Sequence, residues 1–305
     1  MPCGLGPKTA DTDPGLRILY IIGNSRSGST VLQHLLALQP GVVAVGELRR
    51  LGVMARAGEV CACGEAFSRC PFWCSVCAGC PPEQRTTEAP RAGVRWRVGL
   101  LRAVAALRFG PLPAGPRLRH QDHSAARECI DLHRSFAAVS SAGLTVDSSK
   151  EPDHYLHLRA SFPDLVDPLF MHRDGRGIVW SKVKRAALSV ADAIDSYVWM
   201  ERMVERVRRA SLPSSIVDVR YEDLCRSPRE VLERVLGPRG ISVRNTDLTV
   251  LDSDRHDIGG SPRFAGAAPT ALRLDESWRE EMPTDVRSEF ERRAGALNRR
   301  RGYTD

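Results

Sequence analysis

The chain has 305 residues, of which 42% are hydrophobic and 27% are charged, a composition that indicates a folded globular protein. Its formal net charge of +7 favours an anionic ligand but does not distinguish a nucleotide from a nucleic acid or a membrane. No stretch has the roughly 20 uncharged apolar residues that a membrane-spanning helix needs, and the start lacks the apolar core of a signal peptide. We therefore expect a cytoplasmic protein.

The first predicted elements are a strand, a loop and a helix. Residues 1–15 are expected to form a disordered tail, residues 16–22 are an apolar run rich in β-branched residues, and VLQHLLAL has helical spacing up to Pro40. Between strand and helix lies the glycine- and serine-rich GNSRSGST. Glycines let backbone amides approach phosphate oxygens, and the helix N-terminus adds the positive end of a dipole. The unit therefore predicts an anion-binding loop.

The loop has the spacing G-x-x-x-x-G-[K]-[ST], except that Ser29 replaces the lysine and Arg26 supplies a cation instead. In kinases and triphosphatases the lysine neutralises charge on the group that is transferred. Its absence argues against those enzymes and favours a donor with a shorter anionic chain. The alternative is a turn that only joins strand to helix. The predicted ligand-binding residues are Arg26, Ser27, Gly28, Ser29 and Thr30.

A second short strand is predicted at residues 42–45, and an insertion rich in cysteine, glycine and proline follows at about residues 57–82. Six of the nine cysteines lie there, and their spacings do not fit one C-x-x-C pair facing another. Three interpretations stay open: unligated cysteines buried beside Phe72 and Trp73, which we favour, a structural zinc site, and a disulfide or redox role.

The remaining chain alternates between helices and short buried strands. Residues 91–119 have the pattern of a basic amphipathic helix, which we interpret as packed on the core rather than on a membrane or an acceptor. The alternation predicts an α/β fold with a P-loop-like central parallel sheet and helices on both faces. We expect one domain over residues 1–305, in which a cysteine-rich and helical insertion at 57–140 forms the acceptor side. The later predicted helices are 123–140, one after Pro152, one through Trp180, 191–210 and 228–236, and the strands are 144–146, 168–172 and 215–219.

A second anion site is predicted in LFMHRDGRGIVWSKVKR, where a strand ends at Arg173 and a helix follows. Ser181 and Arg185 are four residues apart and share one helix face. Arg173 at the strand tip can join them around a phosphate, because a guanidinium donates two hydrogen bonds in the geometry that phosphate accepts.

GNSRSGST and HRDGRGIVWSKVKR, in this order and roughly 150 residues apart, resemble the two donor-binding motifs of the sulfotransferase superfamily that uses 3′-phosphoadenylyl sulfate (PAPS). The match resembles most the tyrosylprotein and carbohydrate branches and bacterial sulfotransferase-like proteins. The segments VDSSKEPDHYLHLRASFPDL, VRYEDLCRSP, HDIGGSPRF and LDESWREEM agree with it. The resemblance implies that the first motif holds the 5′-phosphosulfate, that the second holds the 3′-phosphate, and that the chemistry needs no metal.

The resemblance also implies roles for two residues at strand ends. Glu47 follows the second strand, which we expect to lie beside the first, and would accept the proton of the acceptor hydroxyl. Lys150, with Arg26, would stabilise the oxygen that leaves sulfur. The alternatives for Glu47 are a surface charge paired with Arg49 or Arg50, or a histidine in its place. The candidate histidines are His34, His123, His154 and His157.

Ser181 would bind the 3′-phosphate, and Tyr221 and Arg263 are weaker predicted donor contacts. Tyr221 is equally compatible with an ordinary core position and Arg263 with an exposed loop. Arginine- and alanine-rich usage suggests a bacterial source.

The sequence predicts sulfuryl transfer from PAPS to a hydroxyl of a small molecule, sugar, lipid or peptide, with release of adenosine 3′,5′-bisphosphate and with no nucleic-acid partner. A phosphoryl transferase and a non-catalytic PAPS-binding protein are the alternatives. The oligomeric state is not predicted.

Overall fold

A computed structural model describes residues 15–85, 87, 120–186, 188–210, 217–251, 256–259 and 270–304. Residues 1–14 of the predicted tail, the predicted basic helix at 91–119 and Arg263 lie outside the described residues, and so does the side chain of His123. No helix in the described part of the chain is long and apolar enough to cross a membrane.

A sheet of five parallel strands forms the centre of the protein, in the order β2-β3-β1-β4-β5. Short apolar runs build these strands, and β4 is buried along its whole length, as expected for a parallel sheet that is covered on both faces. The predicted α/β class is confirmed. The strands are β1 (Arg17–Gly23), β2 (Val42–Gly46), β3 (Leu144–Lys150), β4 (Val166–His172) and β5 (Val217–Arg220).

Helices cover both faces because the side chains of β1 alternate between them. Ile18, Tyr20 and Ile22 pack into one core cluster, whereas Leu19 and Ile21 pack into another on the opposite face. The helices are α1 (Ser29–Ala37), α2 (Leu51–Arg56), α3 (Pro71–Val76), α4 (His120–Ser140), α5 (Pro152–Ser161), α6 (Gly175–Ala186), α7 (Val190–Ala210), α8 (Tyr221–Arg226), α9 (Pro228–Leu236), α10 (Trp278–Glu281) and α11 (Thr284–Arg300). Two further short strands, β6 (Val250–Leu251) and β7 (Thr270–Ala271), pair with each other in antiparallel orientation.

The strand order corrects one prediction. β2 does not lie beside β1, because β3 lies between them and Leu144 is paired with both Arg17 and Val42. The physical reason is burial: β1 has six consecutive buried residues and occupies the interior of the sheet, whereas β2 is half-buried and forms its edge. The carboxyl ends of β2 and β3, which carry Glu47 and Lys150, are therefore neighbours.

The cysteine-rich segment is part of the core. Two short helices that the sequence pattern did not indicate accompany it: α2 lies directly before it and α3 lies within it. Cys61, Cys70 and Trp73 belong to the same core cluster as the side chains of β1. Trp73 is fully buried and meets the rings of Phe67 and Phe136 edge-on, with centroids 5.5 Å and 4.9 Å away. The segment therefore contributes to the stability of the whole domain.

We predict that Trp73→Ala lowers the free energy of unfolding by about 3–5 kcal/mol, because it leaves a large cavity in the core. The matched control is Trp199→Ala, since Trp199 is 39% exposed on α7, and we expect its effect to stay within about 0.5 kcal/mol. Urea unfolding followed by circular dichroism measures both. Equal, small effects would show that the cysteine-rich segment does not support the core.

Candidate active site

A cavity of about 280 Å³ opens at the carboxyl ends of the parallel strands, the edge at which open α/β sheets bind ligands. Its lining comes from the loop after β1, the first turn of α1, the ends of β2, β3 and β4, α6, α8, and β7 with the segment after it. The charged lining consists of six basic side chains and two carboxylates: Arg26, Arg50, Lys150, Arg173, Arg185 and Arg273 with Glu47 and Asp275. The excess of positive charge suits an anionic ligand.

The loop after β1 brings the first helical turn of α1 to this cavity. Gly28 precedes α1 with a φ of +96°, and a Cβ atom there would lie 2.5 Å from Cδ2 of Tyr221, so that only glycine fits. Ser29 and Thr30 begin α1 and line the cavity. The first N–H groups of a helix have no acceptor within the helix and can bind an anion. Ser27 is fully buried and is not part of the lining.

Arg26 and Arg173 join the two predicted anion sites. Arg26 has a φ of +71°, an uncommon conformation for arginine, and its Nε donates to Oγ of Ser181 over 3.0 Å. The guanidinium of Arg173 is buried, donates to the backbone oxygen of Arg26 over 3.1 Å, and forms an ion pair with Asp275 at 3.2 Å. The structure thus brings the loop after β1 into direct contact with Arg173, which follows β4, and with Ser181 in the middle of α6.

Tyr221 packs against Arg173 and helps to hold its guanidinium in place. Its ring lies under the guanidinium of Arg173, with 4.4 Å between Cζ and the ring centroid. Its hydroxyl donates to the backbone oxygen of Arg273 and accepts from the N–H of Asp275, each over 3.0 Å. Tyr221 is buried and also lines the cavity, so its role as a donor contact stays a prediction.

Three guanidinium groups repel each other across the cavity. Burial lowers the pKa of Arg26, and the charges of Arg185 and Arg173 lower it further, while Asp275 opposes them. Arg185 is exposed on α6 and reaches the cavity from its rim. A bound anion between these groups would replace repulsion by attraction.

Glu47 and Lys150 meet at the neighbouring ends of β2 and β3. Oε1 of Glu47 lies 2.5 Å from Nζ of Lys150, and Oε2 accepts from Arg50 over 3.1 Å. Burial acts to raise the pKa of Glu47, but the charge and hydrogen bond of Lys150 and the contact with Arg50 outweigh it, so that the pKa is lowered. Glu47 is therefore ionised at neutral pH. The ion pair with Arg50 that we considered as an alternative exists together with the pair to Lys150, and Arg49 pairs with Glu151 instead.

The candidate histidines with described side chains lie elsewhere. His34 is buried on α1 with Nε2 3.1 Å from Oδ2 of Asp257. His154 is buried on α5, and burial lowers its pKa to about 3. His157 faces the backbone oxygen of Asp153, 3.0 Å from Nδ1. None of the three lines the cavity.

Three charged residues of the lining, Arg50, Arg273 and Asp275, are not among the predicted ligand contacts. Arg50 had a readable signal, since it lies three residues after Glu47 and faces it across one turn. Asp275 lies in LDESWREEM, one of the segments that agree with the family resemblance, but the contacts that hold it at the cavity come from the guanidinium of Arg173 and the hydroxyl of Tyr221, both distant in the chain. Arg273 contacts the same hydroxyl through its backbone oxygen.

Comparison with known proteins gives a consistent picture. A family model described as "Sulfotransferase family" matches residues 19–244. The chain is similar in structure to the sulfotransferase domain of the Synechococcus PCC 7002 olefin synthase, with 19% identity, a TM-score of 0.56, and coverage of 98% of this chain and 100% of that domain. It is also similar to the sulfotransferase domain from the curacin biosynthetic pathway, with 16% identity, a TM-score of 0.55, and coverage of 92% and 97%. At such identities the likeness shows the fold. No curated protein sequence matches the chain.

We predict that Lys150→Met raises the pKa of Glu47, because burial then acts against the carboxylate with only Arg50 to oppose it. In the unaltered protein, ionised Glu47 contributes stability that is present above the pKa of an unfolded glutamate and is lost as the pH falls through the lowered folded value. In the variant this acid-side loss shrinks or reverses. Carboxyl ¹³C NMR titration measures the pKa directly. Lys184→Met, which removes the surface partner of Glu281, is the control, and an unchanged titration of Glu47 in Lys150→Met would contradict the electrostatic account.

Proposed function

This chain belongs to the sulfotransferase family, and on that premise we propose that it transfers a sulfuryl group from PAPS to an acceptor hydroxyl and releases adenosine 3′,5′-bisphosphate. The observation that carries the proposal is the meeting of two clusters in one cavity. The arginines around Arg26 and Arg173 suit the anionic donor, and the pair of Glu47 and Lys150 lies beside them in the same lining.

The donor has two anionic groups that need separate partners. The loop after β1, with the first turn of α1, would hold the 5′-phosphosulfate through backbone N–H groups and Arg26. Arg173, Ser181 and Arg185 would hold the 3′-phosphate. Support for this division comes from the contact between Arg26 and Ser181, because it places the two binding regions next to each other, as the two ends of one nucleotide require. Tyr221 would act by orienting Arg173. The predicted contact with Arg263 lies outside the described residues.

The reaction is an in-line displacement at sulfur. The acceptor oxygen forms a bond to sulfur while the bond between sulfur and the phosphate oxygen breaks, and the acceptor's proton passes to Glu47. Lys150 and Arg26 stabilise the negative charge that develops on the departing phosphate oxygen. Without donor, Lys150 is paired with Glu47. A bound phosphosulfate would attract Lys150, weaken that pair and leave Glu47 more basic, because its burial then acts with less opposition.

The chemistry distinguishes the proposal from the two alternatives. A phosphoryl transferase needs a cation near the transferred phosphoryl group at the position of Ser29, and serine supplies none. A non-catalytic binding protein has no need of a half-buried carboxylate beside a lysine at the donor cavity. The acceptor stays open among small molecules, sugars, lipids and peptides, and residues 57–140 remain the predicted acceptor side. A bacterial, cytoplasmic enzyme remains the expectation from the sequence.

We predict that adenosine 3′,5′-bisphosphate binds in preference to ATP, and that Arg173→Ala and Arg185→Ala each weaken this binding about 10- to 100-fold, as expected for the loss of ~1.5–3 kcal/mol from a charged hydrogen bond. Isothermal titration calorimetry measures the affinities. Arg185 is exposed, so its variant tests binding without disturbing the core. Arg209→Ala, which removes an exposed arginine of α7 paired with Glu205, should bind as the unaltered protein does. A preference for ATP would refute the proposed donor.

We predict that Glu47→Gln lowers the rate of sulfuryl transfer by about 10²- to 10⁴-fold, the usual contribution of a general base, while the affinity for adenosine 3′,5′-bisphosphate is kept. The assay follows transfer of ³⁵S from labelled PAPS to a panel of phenols, sugars and aliphatic alcohols. Glu59→Gln, which alters an exposed glutamate, is the matched control. Equal rates in the two variants would show that Glu47 is not the base.

A further inference from the structure

Four potential metal ligands from two distant parts of the chain meet at the edge of the core, away from the donor cavity. They are Cys61, Cys63, Cys70 and His256, and their ligand atoms all lie within 4.8 Å of one another. The sulfur of Cys70 lies 3.7 Å from that of Cys63 and 3.9 Å from that of Cys61. Nδ1 of His256 lies 3.3 Å from the sulfur of Cys70 and 3.7 Å from that of Cys61.

These four separations match four of the six edges of a ligand tetrahedron of the size that zinc requires. With Zn–S bonds of about 2.3 Å and Zn–N bonds of about 2.0–2.1 Å, tetrahedral geometry requires edges of about 3.8 Å between sulfurs and about 3.5 Å between sulfur and nitrogen. A disulfide would instead bring two sulfurs to about 2.05 Å. The observed separations fit the first arrangement and exclude a formed disulfide among these three cysteines.

We propose that Cys61, Cys63, Cys70 and His256 bind a structural zinc ion. Three thiolates and one imidazole are soft and borderline ligands of the kind that zinc prefers. All four coordination positions are filled by protein, as in structural rather than catalytic zinc sites. On binding, the three thiols release their protons to solvent, and no electron transfer is involved.

Two aromatic side chains contact His256, one at its imidazole and one at its backbone. Phe72 stacks on it with 4.8 Å between ring centroids and 8° between ring planes. The indole N–H of Trp73 donates to the backbone oxygen of His256 over 2.9 Å. Both aromatic residues belong to α3, which starts directly after the ligand Cys70. The cysteine segment therefore fixes His256 through the proposed ligands and through the residues beside them.

The metal would also anchor the short segment that follows His256. Asp257 accepts from Gln33 of α1 over 2.6 Å. Ile258 pairs with Gly46 at the end of β2, and its backbone oxygen accepts from the N–H of Glu47 over 2.8 Å. A Cβ atom on Gly259 would lie 3.3 Å from the carboxyl carbon of Glu47. The four residues 256–259 thus connect the zinc site to α1 and to the strand end that holds Glu47.

The first test measures zinc by mass spectrometry in the full chain, purified under reducing conditions with zinc supplied and then treated with a chromogenic chelator. We expect one zinc ion per chain in the unaltered protein and near none in Cys63→Ser and His256→Ala. Cys63 is exposed, so Cys63→Ser does not depend on repacking the core. The matched control is Cys74→Ser, since Cys74 is an exposed cysteine of α3 outside the cluster, and it should retain its zinc.

Cobalt substitution gives a second readout, which reports the identity and geometry of the ligands. Co²⁺ in the unaltered protein should show the intense visible bands of tetrahedral coordination and thiolate-to-cobalt charge transfer, and Cys63→Ser should lose these bands together with the bound metal. Cys74→Ser should leave the spectrum unchanged. Absence of zinc from the unaltered protein, or equal zinc content in Cys63→Ser, His256→Ala and Cys74→Ser, would overturn the proposal.

The anchoring of residues 256–259 is tested by amide hydrogen exchange. The N–H of Glu47 donates to Ile258, so its exchange should accelerate in Cys63→Ser and stay unchanged in Cys74→Ser. If zinc is lost but the exchange of the Glu47 N–H is unchanged, the metal does not anchor residues 256–259 and that part of the proposal is wrong. None of these measurements depends on sulfuryl transfer, and failure of the proposed function therefore leaves them interpretable.

Discussion

The double pairing of β3, with β1 on one side and β2 on the other, sets the distances on which the candidate site depends. Parallel strands end at one edge of a sheet, and neighbouring strands are about 4.8 Å apart. With β3 between β1 and β2, Lys150 is placed between the anion-binding loop and Glu47, within reach of both. Any other strand order would separate Lys150 from one of them.

Glu47 shows how this placement controls reactivity through two opposing effects. Burial raises its pKa, and the cations beside it lower the pKa by more. A carboxylate in this balance is held ionised but can become more basic when a cation moves away. The arginine cluster is in the complementary situation, because Arg26, Arg173 and Arg185 are brought together against their mutual repulsion. The core packing described above stabilises both arrangements, and a bound anionic donor would relieve the repulsion.

The cysteine-rich segment connects the core to the site. It shares a hydrophobic cluster with β1, and through His256 it meets the segment that pairs with Gly46 and contacts Glu47. A zinc ion at this position would secure a stretch of chain that has only a single bridge to the sheet edge in the described residues. Metal binding and the position of the proposed base would then be physically connected through four consecutive residues.

The sequence by itself determined what depends on residues close together in the chain. Apolar runs followed by helical spacing predict the parallel α/β sheet, the loop after β1 predicts an anion site, and the four-residue spacing of Ser181 and Arg185 places them on one face of α6. The prediction of the sheet is confirmed because strand and helix patterns are local, whereas the anion site stays a prediction. The family resemblance pointed to Glu47 and Lys150, but it did not place them in contact.

Only the tertiary structure decided which distant residues meet. Glu47 and Lys150 are 103 positions apart, and the strand order that joins them was predicted wrongly because strand order depends on which segments are most completely buried. Cys70 and His256 are 186 positions apart, so no cysteine spacing within residues 61–80 could reveal the fourth ligand. Arg273 and Asp275 are held at the cavity by Tyr221, and Asp275 also by Arg173. In each case the deciding interaction is a contact created by packing, which leaves no pattern along the chain.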